Sequence, residues 1–478
     1  MRFSKKIIAL FALCLGCVFV LSTGFKIPDD DDGDKGGPDA ADVKAQRLFG
    51  PRTGGVLRLS VDECVSRALA FNPELQVADY SIRTAEEKKK EGQKIGYPIL
   101  DYEYNVGPVP KDVGRAVQSF FEGDITVLNK FKLGIGVPIE TFGKVKVGQQ
   151  LADTGISSER EKKVQKKSDI VFKVKQLYYG ILLGREIHHL LQSAYEGVSK
   201  EIDKRETLGG TDPTELLKLK IFRADLEKKI EDDDKKEILA REALRVQLGV
   251  EPSTRLDLAA GKLRPIAARL DSFETYKREA LNQRSDLKLL GLGYEARERQ
   301  VKLEKRMMAP NLAVGSFFEI GRAPGVTGVT TTDDFSDPFN YTRAGIGLQL
   351  KGQFDYHAGF SKVRQAKNEL QKVALQQDYA QDGVELDVKE AFLDAHNTKL
   401  EMERTEEAGK FSRQLLFLTQ SNFDIGLADP KDLIDALSGF LLARGQYFEA
   451  VFNYNVALAK LDLKTGRLPE GAREGSFE

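Results

Sequence analysis

Four stretches of the chain alternate apolar and polar residues one by one, the pattern of a half-exposed β-strand rather than a helix. In residues 97–107, Leu100, Tyr102, Tyr104 and Val106 share one face while Asp101, Glu103 and Asn105 share the other. In 131–141, Phe131, Leu133, Ile135, Val137 and Ile139 oppose Lys132, Gly134, Gly136 and Glu140. The pattern returns in 311–321 through Leu312, Val314, Phe318 and Ile320, and in 342–351 through Ala344, Ile346, Leu348 and Leu350. Each run is roughly 9–11 residues, the length that crosses a bilayer as a tilted strand. Tyr97, Phe131, Phe142, Phe339, Tyr341, Phe354 and Tyr356 cluster near the strand ends, where aromatic girdles would sit. A soluble sheet with one core face is the plainer alternative.

Between the strands the apolar spacing turns helical. Residues 143–208 and 356–425 each predict one long helix, about 100 Å at 1.5 Å per residue. Shorter helices are predicted at 214–248 and 431–465, returning along them, and at 60–94 and 273–308, before the strands. Each is near half the long helix, so two stacked end to end would match one. Pro98 and Pro310 mark the change from helix to strand. Gly155, Gly180, Gly184 and Gly197 weaken the first long helix unless close helix approach compensates.

The elements fall into two copies of one unit. Ala68-Leu69-Ala70-Phe71-Asn72-Pro73-Glu74-Leu75 is answered by Ala280-Leu281-Asn282-Gln283-Arg284-Ser285-Asp286-Leu287, and Gly134-Ile135-Gly136-Val137 by Gly345-Ile346-Gly347-Leu348. Gly209-Gly210-Thr211-Asp212-Pro213 is answered by Gly426-Leu427-Ala428-Asp429-Pro430. This divides the chain into a leader (1–24), an acidic Gly/Asp-rich linker (25–56), repeat 1 (57–268, tip turn 209–213), repeat 2 (269–468, tip turn 426–430) and a tail (469–478). Four strands cannot close a spanning barrel, whose lower limit is about eight. An open edge in lipid would leave backbone groups unpaired, so several chains must share one barrel; periodicity does not choose between two, three or four.

Composition narrows the function. Of 478 residues 30% are charged, and 72 basic against 73 acidic residues give a net charge of −1, which provides no basic face for nucleic acid. Met1–Lys6 is basic and Ile7–Phe25 nearly all apolar, a secretory signal in shape with cleavage near Gly24. Two alternatives stay open: lipidation at Cys17, which follows Gly16, and an uncleaved anchor. With three Cys and four His scattered along the chain, no metal or cofactor site is expected. No phosphate loop or catalytic triad stands out, so an enzyme is not expected.

Taken together, the pattern resembles the TolC-like outer-membrane efflux protein family. The resemblance rests on Leu59-Ser60-Val61-Asp62-Glu63-Cys64-Val65-Ser66-Arg67-Ala68-Leu69 with Asn72-Pro73, on the Pro at both helix-to-strand switches, and on the two turns. Gly426-Leu427-Ala428-Asp429-Pro430-Lys431-Asp432-Leu433-Ile434-Asp435-Ala436 is close to the family's periplasmic-tip motif, and the match covers about Leu57 to Leu468. The resemblance implies an α+β membrane protein: a homotrimeric 12-stranded β-barrel, four strands per chain, in the outer membrane, continued by a long α-helical coiled-coil periplasmic barrel. It implies a passive exit duct for a tripartite efflux or type I secretion system, whose partners are a periplasmic adaptor, an inner-membrane pump and outer-membrane lipid. It also implies an acidic pore constriction at Asp432, Asp435 and Glu215, with adaptor contact at Gly209, Asp212, Pro213, Gly426, Leu427, Asp429 and Pro430. Asp432 and Asp435, at i and i+3, share a helix face and would form rings of like charge. Simple helix capping is the competing account. Lys218 departs from the pattern where a second acid would stand. The alternative function is a periplasmic coiled-coil scaffold without channel activity; it explains the long helices but not the four strands.

Overall fold

The structure, a computed structural model, describes residues 56–94, 97–208, 213–329, 333–352, 355–425 and 427–469. The leader, Cys17, the acidic linker up to residue 55 and the turn residues Gly209, Asp212 and Gly426 lie outside them. The chain enters through β1 (Val56–Leu59), then α1 (Val61–Phe71) and α2 (Pro73–Gln93). A reciprocal cap starts α1: Glu63 N–H donates to Ser60 Oγ (3.3 Å) and Ser60 N–H to Glu63 Oε2 (2.7 Å). The helix expected over 60–94 is divided because Pro73 lacks an N–H and Asn72 instead caps α2, accepting from Glu74 N–H at 2.8 Å.

β2 (Ile99–Pro110) follows, then a 3₁₀ turn, α3 (Ala116–Phe121) and β3 (Ile125–Glu140). β3 starts at Ile125 rather than 131, so most of the connection between the two strands is regular structure. Next come α4 (Lys144–Leu208), α5 (Pro213–Gln247), β4 (Arg255–Leu258), α6 (Phe273–Gln283) and α7 (Ser285–Met307). The chain ends with β5 (Asn311–Arg322), β6 (Tyr341–Lys351), α8 (Tyr356–Asp424) and α9 (Pro430–Thr465). The helix expected over 273–308 also breaks, at an extended Arg284 (φ −63°, ψ 129°) whose side chain pairs with Asp387 at 3.0 Å.

β2, β3, β5 and β6 form one antiparallel sheet in that order. Cross-strand register collects Tyr102, Leu133, Phe318 and Ala344 on one face, and Glu103, Lys132, Glu319 and Arg343 on the other. Pro138, which cannot donate to a ladder, sits beside a register shift at Pro138/Glu140. Among the described residues the outer edges of β2 and β6 pair with nothing.

The helices pack as two long–short systems. The first half of α4 meets α2, where Lys89 pairs with Asp153 at 2.6 Å, and α7, where Arg299 donates to the Gln150 carbonyl. Its second half meets α5, with Arg185 3.4 Å from Glu237. α8 packs along α9 and α7. Of the α4 glycines expected at close contacts, Gly180 approaches Phe452 and Gly184 approaches Glu237, whereas Gly155 and Gly197 face open space.

β1 and β4 form a parallel two-stranded ribbon, Val56↔Arg255 to Leu59↔Leu258, which closes over the main core of Cys64, Ala68, Tyr178, Ile181, Leu244 and Leu248. Burial pushes the Cys64 thiol up to about 12, leaving it an inert apolar side chain. Asn72, 1% exposed, ties this core together, its Nδ2 donating to the Gln247 carbonyl (2.9 Å) and Gln247 Oε1 (3.1 Å). No helix among the described residues is long and apolar enough to cross a membrane.

Candidate functional site

The candidate site lies where α4 hands over to α5 and α8 to α9. Both returning helices begin with Pro at the first helical position, Pro213 and Pro430, where the missing N–H costs nothing. Asp429 holds the extended N-cap conformation of α9 (φ −81°, ψ 154°). Pro430 is buried, whereas Ile425 and Leu427 are largely exposed at the turn. Leu427 N–H donates to the Asn422 carbonyl at 2.8 Å, carrying the chain around the end of α8.

The three acids expected at a constriction have different surroundings. Asp432 turns back on its own helix end, accepting the Asp429 N–H at 3.3 Å, so part of its work is capping. Asp435, one turn on, is exposed and makes no hydrogen bond or ion pair within the described residues. Glu215 is held by Arg205 at 3.1 Å, so its charge is largely compensated. Lys218 is exposed nearby.

Arg205 is the residue that sequence reasoning missed. From the last turn of α4 it reaches Glu201 (2.9 Å) on its own helix and Glu215 on α5, and its guanidinium lies 4.4 Å from the centre of the Phe423 ring on α8. Phe423 is buried by this contact and its neighbours. One cation thereby joins the two coils through an ion pair and a cation–π contact. Only the i,i+4 spacing to Glu201 could have pointed to it; the other two partners come from distant segments. Beneath the turns, Val198, Ile202, Leu219 and Leu226 form an apolar cluster against which Ile434, Leu437 and Leu441 of α9 pack. An open cleft of about 450 Å³ lies above it between the coils, lined by Gly197, Glu201, Arg413, Phe417, Leu433 and Phe440 among others.

At the opposite end of α4, the polar face of the sheet carries Glu103, Lys132, Glu319 and Arg343 directly opposite one another across its four strands. Glu319 accepts from Lys130 (2.7 Å) and from the Tyr341 hydroxyl (2.9 Å). Arg343 donates to the Asp337 carbonyl at 2.6 Å and stacks on Tyr341. The other face carries Leu100, Tyr102, Tyr104, Val106, Ile346 and Leu348, all of them exposed in the single chain.

No family model and no curated protein sequence matches the chain. Its fold does match solved structures. The Campylobacter jejuni CmeC outer membrane channel superposes with a TM-score of 0.66 at 15% identity, over 85% of each chain. A membrane protein from Pseudomonas aeruginosa matches at 0.68 and 14% identity, over 93% of this chain and 99% of that one. The Neisseria gonorrhoeae MtrE outer membrane channel, in its open state, matches at 0.65 and 15% identity, over 85% and 88%.

Proposed function

We propose that this chain, whose fold is that of the TolC-like outer-membrane channels, is one subunit of a homotrimeric exit duct in the outer membrane. The observation that carries the proposal is the sheet. It turns an apolar face outward, with Tyr102 78%, Ile346 71% and Leu348 74% exposed, and leaves both its edges unpaired among the described residues. An apolar sheet face of that kind is stable in lipid, and its open edges are not. β6 runs antiparallel to β2, so β6 of one chain can pair with β2 of the next, and three chains close twelve strands. The second half of the argument is the exposed apolar stripe of α8. Leu386, Leu393 and Leu400 recur at seven-residue spacing, a seam for neighbouring helices, and Leu415 and Leu418 are exposed further along the same helix. The element order of two helices, two strands, a long helix and a returning helix occurs twice, which supports a duplicated unit.

In this reading the helices extend into the periplasm and their turns face the partners. Substrates pass from a periplasmic adaptor and inner-membrane pump, of a tripartite efflux or type I secretion system, through the duct without any energy input of its own. The chain acts as a channel rather than an enzyme. Asp435 carries the acidic constriction, Asp432 contributes to it while capping α9, and Glu215 contributes least because Arg205 offsets it. Pro213, Leu427, Asp429 and Pro430, with Gly209, Asp212 and Gly426, form the adaptor contact. The scaffold alternative would leave the apolar sheet face in water, which disfavours it.

The test is single-channel recording in a planar bilayer beside native mass measurement. Wild type should give a trimer and a small cation-selective conductance. Asp435→Asn should widen the conductance and weaken the selectivity, with Asp432→Asn adding less. A folded monomer without conductance would refute the duct, and an unchanged selectivity in Asp435→Asn trimers would refute the acidic ring.

A further inference from the structure

The β2–β3 connection carries a feature that the duct does not require. α3 has six residues, too short to be stable by its own hydrogen bonds. It is pinned on one side by Ser119, which is buried and whose hydroxyl donates to the Asp124 carbonyl at 2.6 Å. Its other side turns Val117 (73% exposed), Phe120 and Phe121 (89% exposed) outward, at i, i+3 and i+4. With Pro110 these residues line a shallow apolar depression of about 390 Å³. Two phenyl rings held against water by a pinned helix are costly unless something apolar covers them.

We infer that α3 is an interfacial anchor that seats in the outer boundary of the same bilayer the sheet crosses, with lipid acyl chains and headgroups as its partner; this rests on the barrel reading above. Three observations favour lipid over a second copy of the chain. The apolar patch is continuous with the sheet's outward face: Pro110 pairs in register with Ile125, and Pro108 with Val127, on the same side as Tyr102, Tyr104 and Val106. The patch therefore grows out of the connection between β2 and β3, not past the open edge of β2 where a neighbouring chain would pair. Arg115, immediately before the helix, is 73% exposed and pairs with Asp112 only at 4.0 Å, a loose surface contact that a headgroup phosphate can displace. An apolar face beside a basic residue, at the end of a lipid-facing strand, is the chemistry of a membrane interface.

The chain contains no Trp, so a single introduced one is an unambiguous probe. Phe121→Trp and Val117→Trp are compared with Tyr102→Trp, which lies on the outward face of the sheet. Each full-length variant is reconstituted in phosphatidylcholine–phosphatidylglycerol vesicles, plain or brominated near the carbonyl end of the acyl chains. In brominated vesicles Phe121→Trp should lose about half its emission, with a blue-shifted maximum and weak quenching by acrylamide, and Val117→Trp should follow it. If Tyr102→Trp is quenched by bromine while both α3 probes are not, the anchor is refuted. Red, acrylamide-quenched emission would then mean a solvent-facing loop, and blue, shielded emission a protein contact. If none of the three responds to brominated lipid, the barrel reading fails and the anchor with it.

Discussion

Arg205 offers the sharpest test of how the two coils are joined. Its side chain is 19% exposed, and its carboxylate partners Glu201 and Glu215 are 16% and 31% exposed, so the group is partly shielded from water. Two charge-assisted hydrogen bonds at roughly 1.5 kcal/mol each, with about 1 kcal/mol for the stacking on Phe423, give about 4 kcal/mol. Glu215 is close to a third exposed and the three contacts share one group, so screening and non-additivity reduce the expected loss to about 2 to 3 kcal/mol. Arg205→Met keeps an unbranched apolar stem over Phe423 while removing the charge and leaving two acids facing each other. Hydrogen exchange read by mass spectrometry on the reconstituted protein is the appropriate assay, because it resolves local opening without global unfolding. Peptides covering 195–225 and 415–440 should exchange about thirty- to a hundred-and-forty-fold faster, while peptides from the Cys64 core stay unchanged. Adding Glu201→Gln and Glu215→Gln should restore much of the protection, since the penalty comes from uncompensated acids more than from the lost pair. Unaltered exchange in Arg205→Met, or a triple variant no better than the single one, would refute the argument.

Asn72→Ala removes the α2 cap and strands the Gln247 groups it satisfies, so it should cost about 3 kcal/mol, seen as a lower denaturation midpoint and a loosened β1–β4 ribbon in hydrogen exchange. Asp233 titrates at about 6, lifted from 3.8 chiefly by burial and also by Glu237 and Asp234, against the pull of His188 and Lys236. The folded chain therefore holds a proton that the unfolded chain releases between 3.8 and about 6, and stability falls as pH rises through that window. Asp233→Asn should stabilise the fold at about pH 7.5 by on the order of 1 kcal/mol after solvent screening, seen as a higher melting temperature, and give no gain at about pH 4. Melting curves at the two pH values check this, and an equal gain at both would point to packing rather than charge.

What the sequence determined by itself were the features with a local period. Alternation along Leu100–Val106 and Phe131–Val137 needs no partner to be visible, because successive strand side chains must point to opposite faces. The long helices were legible for the same reason, and so were the Pro residues that end or begin them, since a missing N–H acts on its own backbone. The resemblance to outer-membrane channels rested on these local motifs and their order along the chain.

Tertiary structure decided what depends on residues distant in sequence. The β1–β4 ribbon joins four-residue strands about 200 positions apart, too short to carry a period and defined only by their pairing. The break at Arg284 lacks a Pro, and the extended Arg284 is held by ion pairs both to Asp286 in the first turn of α7 and to Asp387 on another helix. The unequal standing of the three acids was equally hidden. Asp432, Asp435 and Glu215 look alike as letters, and only Arg205, brought to Glu215 by the packing of α4 on α5, removes one of them from the free charge at the turns. Burial and ion pairing are properties of the packed chain, so the same carboxylate can cap a helix, face a pore or be neutralised according to what folding places beside it.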